Sequence, residues 1–169
     1  MAKQHFKKAI IFLIIIIGLI ALDQITKEAA VANLKGSDPY VIIDNIFELL
    51  YVENRGAAFG IMNGWRSFFL LLAPIVALAL FAEILYIPLT RHYLPMIICL
   101  TGIASGAIGN FIDRFRQAYV VDFLYFKPID FPVFNVADIY VTCSVFLLMY
   151  LIIFYYSDDD LNTMNPLKK

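Results

Sequence analysis

Four long apolar segments constrain the fold of this chain more than any other feature. They cover about residues 9–31, 65–89, 94–113 and 133–156. The uninterrupted part of the first, Ala9 to Leu22, is short for a bilayer, so this helix must continue to about Val31 to reach the roughly 20 residues that a crossing needs. The chain is 62% hydrophobic and 16% charged, whereas a soluble domain is about 45–50% apolar and about 25% charged. The pattern predicts a single polytopic membrane domain over residues 1–169, of the all-α class, with four transmembrane helices.

Residues 40–60 have a different composition. Tyr40–Ile43 and Ile46–Val52 are rich in β-branched and aromatic residues, and Asp44 and Asn45 separate them. This pattern predicts a small hairpin or twisted sheet on the membrane surface.

Asn54 and Gly56 lie near the end of this predicted β region. The asparagine side chain offers both a donor and an acceptor, to an extended peptide or to a carboxyl group. The glycine and the small residues after it allow close backbone approach. The alternative interpretation is a tight turn that enters the next helix.

Two aspartates in the last third of the chain are the candidate catalytic groups. Asp122 lies in an aromatic-rich connection, residues 117–133, and Asp138 lies near the start of the fourth apolar segment. Charged groups are costly at membrane depth, so an acid there indicates function. Two neighbouring acids can divide general base and general acid roles, because the like charge keeps one of them protonated. The sequence separation permits contact between them without requiring it.

The connection at 117–133 contains two prolines, Pro128 and Pro132, and many aromatic residues. We therefore predict an irregular interfacial loop, able to cover a site or to contact lipid.

The third apolar segment ends in a cluster of polar residues. A stripe of small residues shares one helical face with Asp113, and such faces let helix backbones pack closely. The stripe consists of Gly102, Gly106 and Gly109. Asn110 and Arg114 lie beside this face. Asp113 and Arg114 are interpreted as a structural clamp, paired with each other or bonded to loop carbonyls.

Asp23 and Lys27 follow the uninterrupted part of the first apolar segment with i, i+4 spacing, so they share a helical face and can pair near the far interface. The alternative is an ordinary interfacial ion pair that serves stability alone.

Five short motifs occur together in one order along the chain. They are Leu22–Lys27, Glu53–Phe59, Gly109–Arg114, Val120–Phe123 and Phe134–Asp138. With these motifs the chain resembles the bacterial lipoprotein signal peptidases (signal peptidase II), and the resemblance extends from about Ile10 to Tyr156. One departure is Glu53, where the family more often has tyrosine.

The resemblance implies four transmembrane helices with a small extracytoplasmic β-cradle. It implies an aspartyl protease that removes signal peptides from prolipoproteins, just before a cysteine that carries diacylglycerol. Asp122 and Asp138 would be its catalytic pair. The implied partners are the modified prolipoprotein and membrane lipid, and a monomer is expected.

Seven further residues take supporting roles by the same resemblance. Asn54, Gly56, Asn110, Arg114 and Asn135 would line the site, and Asp23 with Lys27 would brace the first helix and the cradle. We expect no cofactor and no metal, since His5 and His92 both lie on the inner side, away from the acids.

The predicted location is the bacterial cytoplasmic (inner) membrane, with both termini cytoplasmic and the active site at the outer face. Lys3, Lys7 and Lys8 before the first helix favour this orientation. A simple count of basic residues does not, because seven lie on the predicted outer side and six on the inner side.

The main alternative is a small membrane transporter or channel that uses the two aspartates for proton or cation passage. It predicts ionisable residues throughout the bilayer, whereas here they cluster at one end, apart from Glu83. A serine protease would need a histidine near Ser105, and neither histidine is placed to reach it. A net charge of −1 gives no indication of nucleic-acid binding.

Overall fold

The computed structural model describes residues 2–56 and 66–164, and its helices follow the apolar segments. The long helices are α1 (Ala2–Leu34), α2 (Arg66–Tyr86), α3 (Leu94–Gln117) and α4 (Val136–Tyr150). One π-helical turn, Leu151–Tyr155, continues α4, and a short helix α5 (Asp158–Met164) follows. Within the described ranges, four helices are long and apolar enough to cross a membrane. The predicted four-helix membrane fold is therefore confirmed.

Several helix boundaries differ from the prediction: α1 is longer at both ends, α2 ends three residues earlier, and two other differences have local reasons. The helix α3 continues to Gln117, with Arg114 and Arg116 in its last turn, where positive charge favours the helix terminus. The helix α4 begins at Val136 rather than at 133, because Asn135 has extended backbone and caps it. The predicted helix start at 65 and the last predicted β residues, 57–60, lie outside the described residues.

A three-stranded antiparallel sheet lies at one end of the helices. In the described residues its order is β1 (Tyr40–Ile43), β2 (Phe47–Asn54) and β3 (Val120–Phe126). The predicted hairpin is confirmed. The prediction of an irregular loop over 117–133 was wrong, because α3 extends into it and β3 follows. The first four residues of β3 are buried, so the strand lacks the apolar–polar alternation by which strands are recognised.

An apolar cluster attaches this sheet to α1. Ala30 and Leu34, in the last turns of α1, pack with Val121 and Phe123 of β3. A larger cluster at the other end of the bundle joins α1, α2, α3 and the C-terminal helical turns. The sheet is therefore fixed over the ends of α1 and α3, which we call the sheet end of the bundle.

Close helix packing depends on the predicted glycine face of α3. A Cβ atom on Gly106 would lie 2.5 Å from the Ala137 carbonyl oxygen, and one on Gly109 would lie 2.5 Å from Asp23 Oδ2. Both distances are shorter than the non-bonded contacts that Cβ atoms make in proteins, so neither position has room for a side chain. The face therefore brings α3 against the start of α4 and against α1, as predicted.

Candidate active site

Asp122 lies in β3 with its carboxylate buried between two asparagines. Asn54 Nδ2 donates to Asp122 Oδ2 at 2.9 Å, and Asn135 Nδ2 donates to Asp122 Oδ1 at 2.6 Å. Burial, together with the nearby charge of Asp138, raises the pKa of Asp122 from 3.8 to about 7, against the two amide donors, which lower it. This carboxyl group can therefore exchange its proton near neutral pH.

Asp138 is the third residue of α4 and forms a capping box with Asn135. The side-chain oxygen Asn135 Oδ1 accepts from the Asp138 backbone N–H at 3.0 Å, and Asp138 Oδ2 accepts from the Asn135 backbone N–H at 3.2 Å. Asn110 Nδ2 donates to the other carboxylate oxygen, Asp138 Oδ1, at 2.8 Å. Asp138 therefore lies in the first turn of α4, nearer the helix end than a start at 133 would have placed it.

The orientation of two asparagine side chains follows from backbone donors. The Gly56 N–H donates to Asn54 Oδ1 at 3.0 Å, and the Asp138 N–H occupies Asn135 Oδ1 as described above. With each amide oxygen occupied, each NH₂ group must face the other way, towards Asp122.

A buried lysine orients the third asparagine. Lys27 Nζ donates to Asn110 Oδ1 at 2.9 Å, and it forms ion pairs with Asp23 Oδ2 at 2.9 Å and Asp113 Oδ2 at 3.1 Å. All three donors of the ammonium group are thus matched by acceptors. The Lys27 contact leaves the Asn110 NH₂ group directed at Asp138.

The ion-pair network also holds three separate chain segments. Asp23 Oδ1 accepts from the Ala137 N–H at 3.0 Å, and Asp113 Oδ2 accepts from the Val121 N–H at 3.2 Å. The residues on either side of this network, Ala137 and Val121, directly precede the two acids in sequence. Lys27 and Asp23 do pair as predicted, and at 2% and 0% exposed the pair is buried within the protein.

Arg114 connects α3 to the end of β2. Its Nη2 donates to the Gly56 carbonyl oxygen at 2.8 Å, and its guanidinium lies 4.8 Å from the centre of the Phe69 ring on α2. The predicted bond from this arginine to a loop carbonyl is confirmed. Because the guanidinium stays charged, it also supplies positive potential beside the two acids.

These groups surround one cavity of about 800 Å³. Among its lining residues are Asp122, Asp138, Asn54, Gly56, Asn110 and Arg114. Apolar side chains line the rest, including Val52, Phe131, Phe134, Ile139 and Val141. Asn135 contacts both acids from beneath this surface, and Asp23 and Lys27 lie behind it. The cavity thus combines a polar end with apolar walls, as a site for an apolar peptide requires.

Sequence reasoning left Asp113 and Gln24 out of the candidate site. Asp113 was interpreted only as a clamp with Arg114, yet it pairs with Lys27 and bonds the backbone next to Asp122. Gln24 Nε2 donates to Asp113 Oδ1 at 3.0 Å and to the Gly109 carbonyl oxygen at 3.2 Å. The signal for Asp113 was its place on the glycine face of α3, which packs against α1.

Two side chains considered for a serine protease site form hydrogen bonds away from the two aspartates. Ser105 is buried, and its hydroxyl donates to the Thr101 carbonyl oxygen at 2.7 Å. His92 lies at the end of the bundle opposite the sheet, with Nε2 2.9 Å from Asp160 Oδ1. Neither is placed to act with the two aspartates.

Comparison with known proteins decides the family. The sequence model described as Signal peptidase (SPase) II matches residues 15–154. The chain belongs to the signal peptidase II family. Membership of this family identifies the chain as an aspartic protease that cleaves signal peptides from prolipoproteins. The family does not favour the transporter alternative.

Individual relatives can be aligned with this chain over most of their length. The lipoprotein signal peptidase of Lactococcus lactis subsp. lactis is 42% identical over 142 residues, covering 84% of this chain and 92% of that protein. The lipoprotein signal peptidase of Clostridium tetani is 42% identical over 144 residues, covering 83% and 90%.

Two solved structures, both described as bacterial membrane enzymes, share the fold with a TM-score of 0.73 and 31% identity. One comparison covers 84% of this chain and 87% of the other, and the second covers 86% and 94%. The predicted family and fold class are both confirmed.

Proposed function

We propose that Asp122 and Asp138 are the catalytic pair of this signal peptidase, and that its substrate is a prolipoprotein already modified with diacylglycerol. The observation that carries the proposal is their convergence. A strand residue and a helix residue line one cavity, and Asn135 bonds to both. A pKa of about 7 for Asp122 suits an acid that exchanges protons in each cycle.

In the proposed mechanism the two carboxyl groups hold one proton between them. The ionised carboxylate takes a proton from a water molecule, whose oxygen attacks the scissile carbonyl carbon. The protonated carboxyl then donates its proton to the leaving nitrogen as the C–N bond breaks. The pair ends with the proton that the water supplied, so it again carries one and the cycle is balanced.

The neighbouring residues support this chemistry by position. The three asparagine NH₂ groups hold the carboxylates in place, and the Arg114 charge favours the oxyanion that forms on the carbonyl oxygen. The apolar walls beside Ile139 and Val141 suit a signal helix and acyl chains that arrive from the lipid. We place the site at the outer face of the cytoplasmic membrane, with both termini cytoplasmic and the enzyme acting as a monomer.

Three aspartate-to-asparagine variants test the catalytic assignment. Asp122→Asn and Asp138→Asn should each lower the cleavage rate of a purified diacylglyceryl prolipoprotein by at least about 10²-fold, the typical share of general acid–base catalysis. The matched control is Asp130→Asn, which alters an exposed aspartate that accepts a hydrogen bond from the Tyr125 hydroxyl. Thermal unfolding in detergent verifies that all three variants fold. Normal cleavage by folded Asp122→Asn or Asp138→Asn would refute the assignment.

The substrate requirement is tested with one prolipoprotein in two forms, with and without the diacylglyceryl group. The modified form should be cleaved, and mass spectrometry should place the cut just before the modified cysteine. Equal processing of both forms would remove the lipid requirement while leaving the catalytic pair untouched.

A further inference from the structure

We propose that the tip of the β-sheet inserts into the boundary between lipid headgroups and acyl chains and so holds the site at the membrane surface. Five large apolar side chains at the tip are 37–69% exposed. We call them the tip patch: Ile43, Ile46, Phe126, Ile129 and Phe131.

Backbone contacts show that the patch is continuous. The turn after β1 is closed by a bond from the Ile46 N–H to the Ile43 carbonyl oxygen at 3.0 Å. The Lys127 N–H donates to the Ile46 carbonyl oxygen at 3.0 Å, and the Phe131 N–H donates to the Phe126 carbonyl oxygen at 3.1 Å. Segments separated by some 80 positions in sequence therefore meet at one corner of the sheet. Exposed apolar patches of this kind mark interaction surfaces.

The patch lies next to the point where α4 enters its apolar span. Phe131 precedes Val136, the first residue of that span, by five positions, which bridge at most about 18 Å of extended chain. Ile139, the fourth residue of α4, is exposed on the helix and lines the cavity. Phe131 and Ile139 line the same cavity, so the patch and the side of α4 meet at its edge, and we infer a single lipid-facing surface.

Three pairs of polar side chains lie beside the patch. In the exposed turn between Ile43 and Ile46, Asn45 Nδ2 donates to Asp44 Oδ2 at 3.1 Å. Lys127 Nζ pairs with Glu48 Oε1 at 2.6 Å, and the Tyr125 hydroxyl donates to Asp130 Oδ1 at 2.6 Å. Groups with internal partners lose less on leaving water than groups that water alone solvates. This arrangement suits a surface that enters the headgroup region, where aromatic and aliphatic side chains are favoured.

The edge strand argues for lipid rather than for an added peptide strand. The register of β1 against β2 shifts between Val41 and Ile43, which marks a bulge. A bulge interrupts the regular row of edge donors and acceptors that a partner strand needs. What β1 presents instead is apolar side chains, which can enter a bilayer without strand pairing.

The tip patch is connected to the candidate site through Phe131. Phe131 belongs both to the patch and to the cavity lining, and its ring packs edge-on against Phe134 with centres 5.7 Å apart. The patch would therefore hold one wall of the cavity mouth at the depth where a lipid-attached substrate arrives.

Depth-dependent fluorescence quenching tests the inference. The chain's one tryptophan, Trp65, is replaced by phenylalanine, and a new tryptophan is introduced by Ile129→Trp or, if that variant does not fold, by Ile46→Trp. The matched control carries Asp38→Trp, in the exposed polar turn before β1. Each protein is reconstituted without substrate into phosphatidylglycerol–phosphatidylcholine vesicles that contain lipids brominated on the upper acyl chain.

The tip tryptophan should be quenched by brominated lipid at least about twofold more than the control, and acrylamide in the water should quench it less. Equal quenching of the two positions by brominated lipid would overturn the proposal. Protection from acrylamide that appears only after prolipoprotein is added would assign the patch to substrate and overturn it as well. Protection that depends on protein concentration would assign it to a second copy, with the same consequence.

Discussion

Asn135 donates a hydrogen bond of 2.6 Å to Asp122 while its own amide oxygen caps the helix that carries Asp138. One side chain thus connects a strand residue to the first turn of α4. Its position fixes the separation of the two acids because both of its polar atoms are occupied. Helix capping and active-site assembly therefore depend on the same residue, and a pair of substitutions can separate them.

Asn135→Ala should lower both stability and activity. Loss of the cap costs about 1 kcal/mol of folding free energy, and loss of the amide donor should lower the cleavage rate by roughly 10²-fold, at about 2–3 kcal/mol for a bond to a charged group. Asn135→Ser keeps a capping hydroxyl but cannot also reach Asp122. It should recover most of the thermal stability while cleavage stays low. Parallel recovery of both would indicate that Asn135 acts only as a cap.

Lys27→Met should strongly destabilise the protein, since it leaves the buried carboxylates of Asp23 and Asp113 without their shared cation. Removing one partner of a buried ion pair costs about 3–5 kcal/mol. Arg116→Met provides the comparison, because it removes a cation whose nearest described carboxylate, Glu28, is 3.8 Å away at an exposed site. That change should cost less than about 1 kcal/mol. Thermal unfolding in one detergent compares the two, and similar losses would contradict the structural role of the Lys27 network.

The sequence predicted the four helices well because a long apolar segment in a membrane can form few structures other than a helix that satisfy its backbone hydrogen bonds. It also predicted the first hairpin, where Asp44 and Asn45 interrupt two apolar runs. It did not predict β3, since a strand buried on both faces has no alternation. Only its pairing with β2, more than 60 residues earlier, shows it to be a strand.

The sequence predicted most of the residues of the candidate site but only some of the contacts between them. Asp122, Asp138 and three asparagines do converge, but the buried contact of Lys27 with Asn110 joins residues 83 positions apart. No spacing rule within one helix could reveal it. The role of Asp113 in the site was missed for the same reason, because its partners lie on α1 and β3.

Gly106→Ala should separate α3 from α4. The new methyl group would lie 2.5 Å from the Ala137 carbonyl oxygen and 2.6 Å from Val141 Cγ2, so the backbone of α4 must move. Overpacking of this kind costs about 1–3 kcal/mol, and the shift displaces Asp138, so cleavage should also fall. The matched control is Gly18→Ala, where a Cβ would meet nothing within 4 Å. That variant should be neutral or slightly more stable, as helix propensity favours alanine by about 1 kcal/mol.

The raised pKa of Asp122 makes a prediction about stability and pH. Folding displaces this pKa from 3.8 to about 7, so between these values the folded protein binds more protons than the unfolded chain. Its contribution to stability is complete below about pH 4 and is lost as the pH rises through 7. Each tenfold change in proton affinity is about 1.4 kcal/mol, so the full loss is at most about 4 kcal/mol.

Asp122→Asn cannot lose a proton, so its stability should lack this decline. Unfolding temperatures of the variant and the parent protein, measured from pH 4 to pH 8, should therefore diverge in favour of the variant as the pH rises, whatever their difference at pH 4. Asp138→Asn removes the neighbouring charge that helps to raise the Asp122 pKa, so its decline should begin at the same pH, near 4, but end at lower pH and be smaller. Parallel curves for Asp122→Asn and the parent would show that Asp122 ionises as easily in the fold as in the unfolded chain, and the shared-proton mechanism would then lose its physical basis.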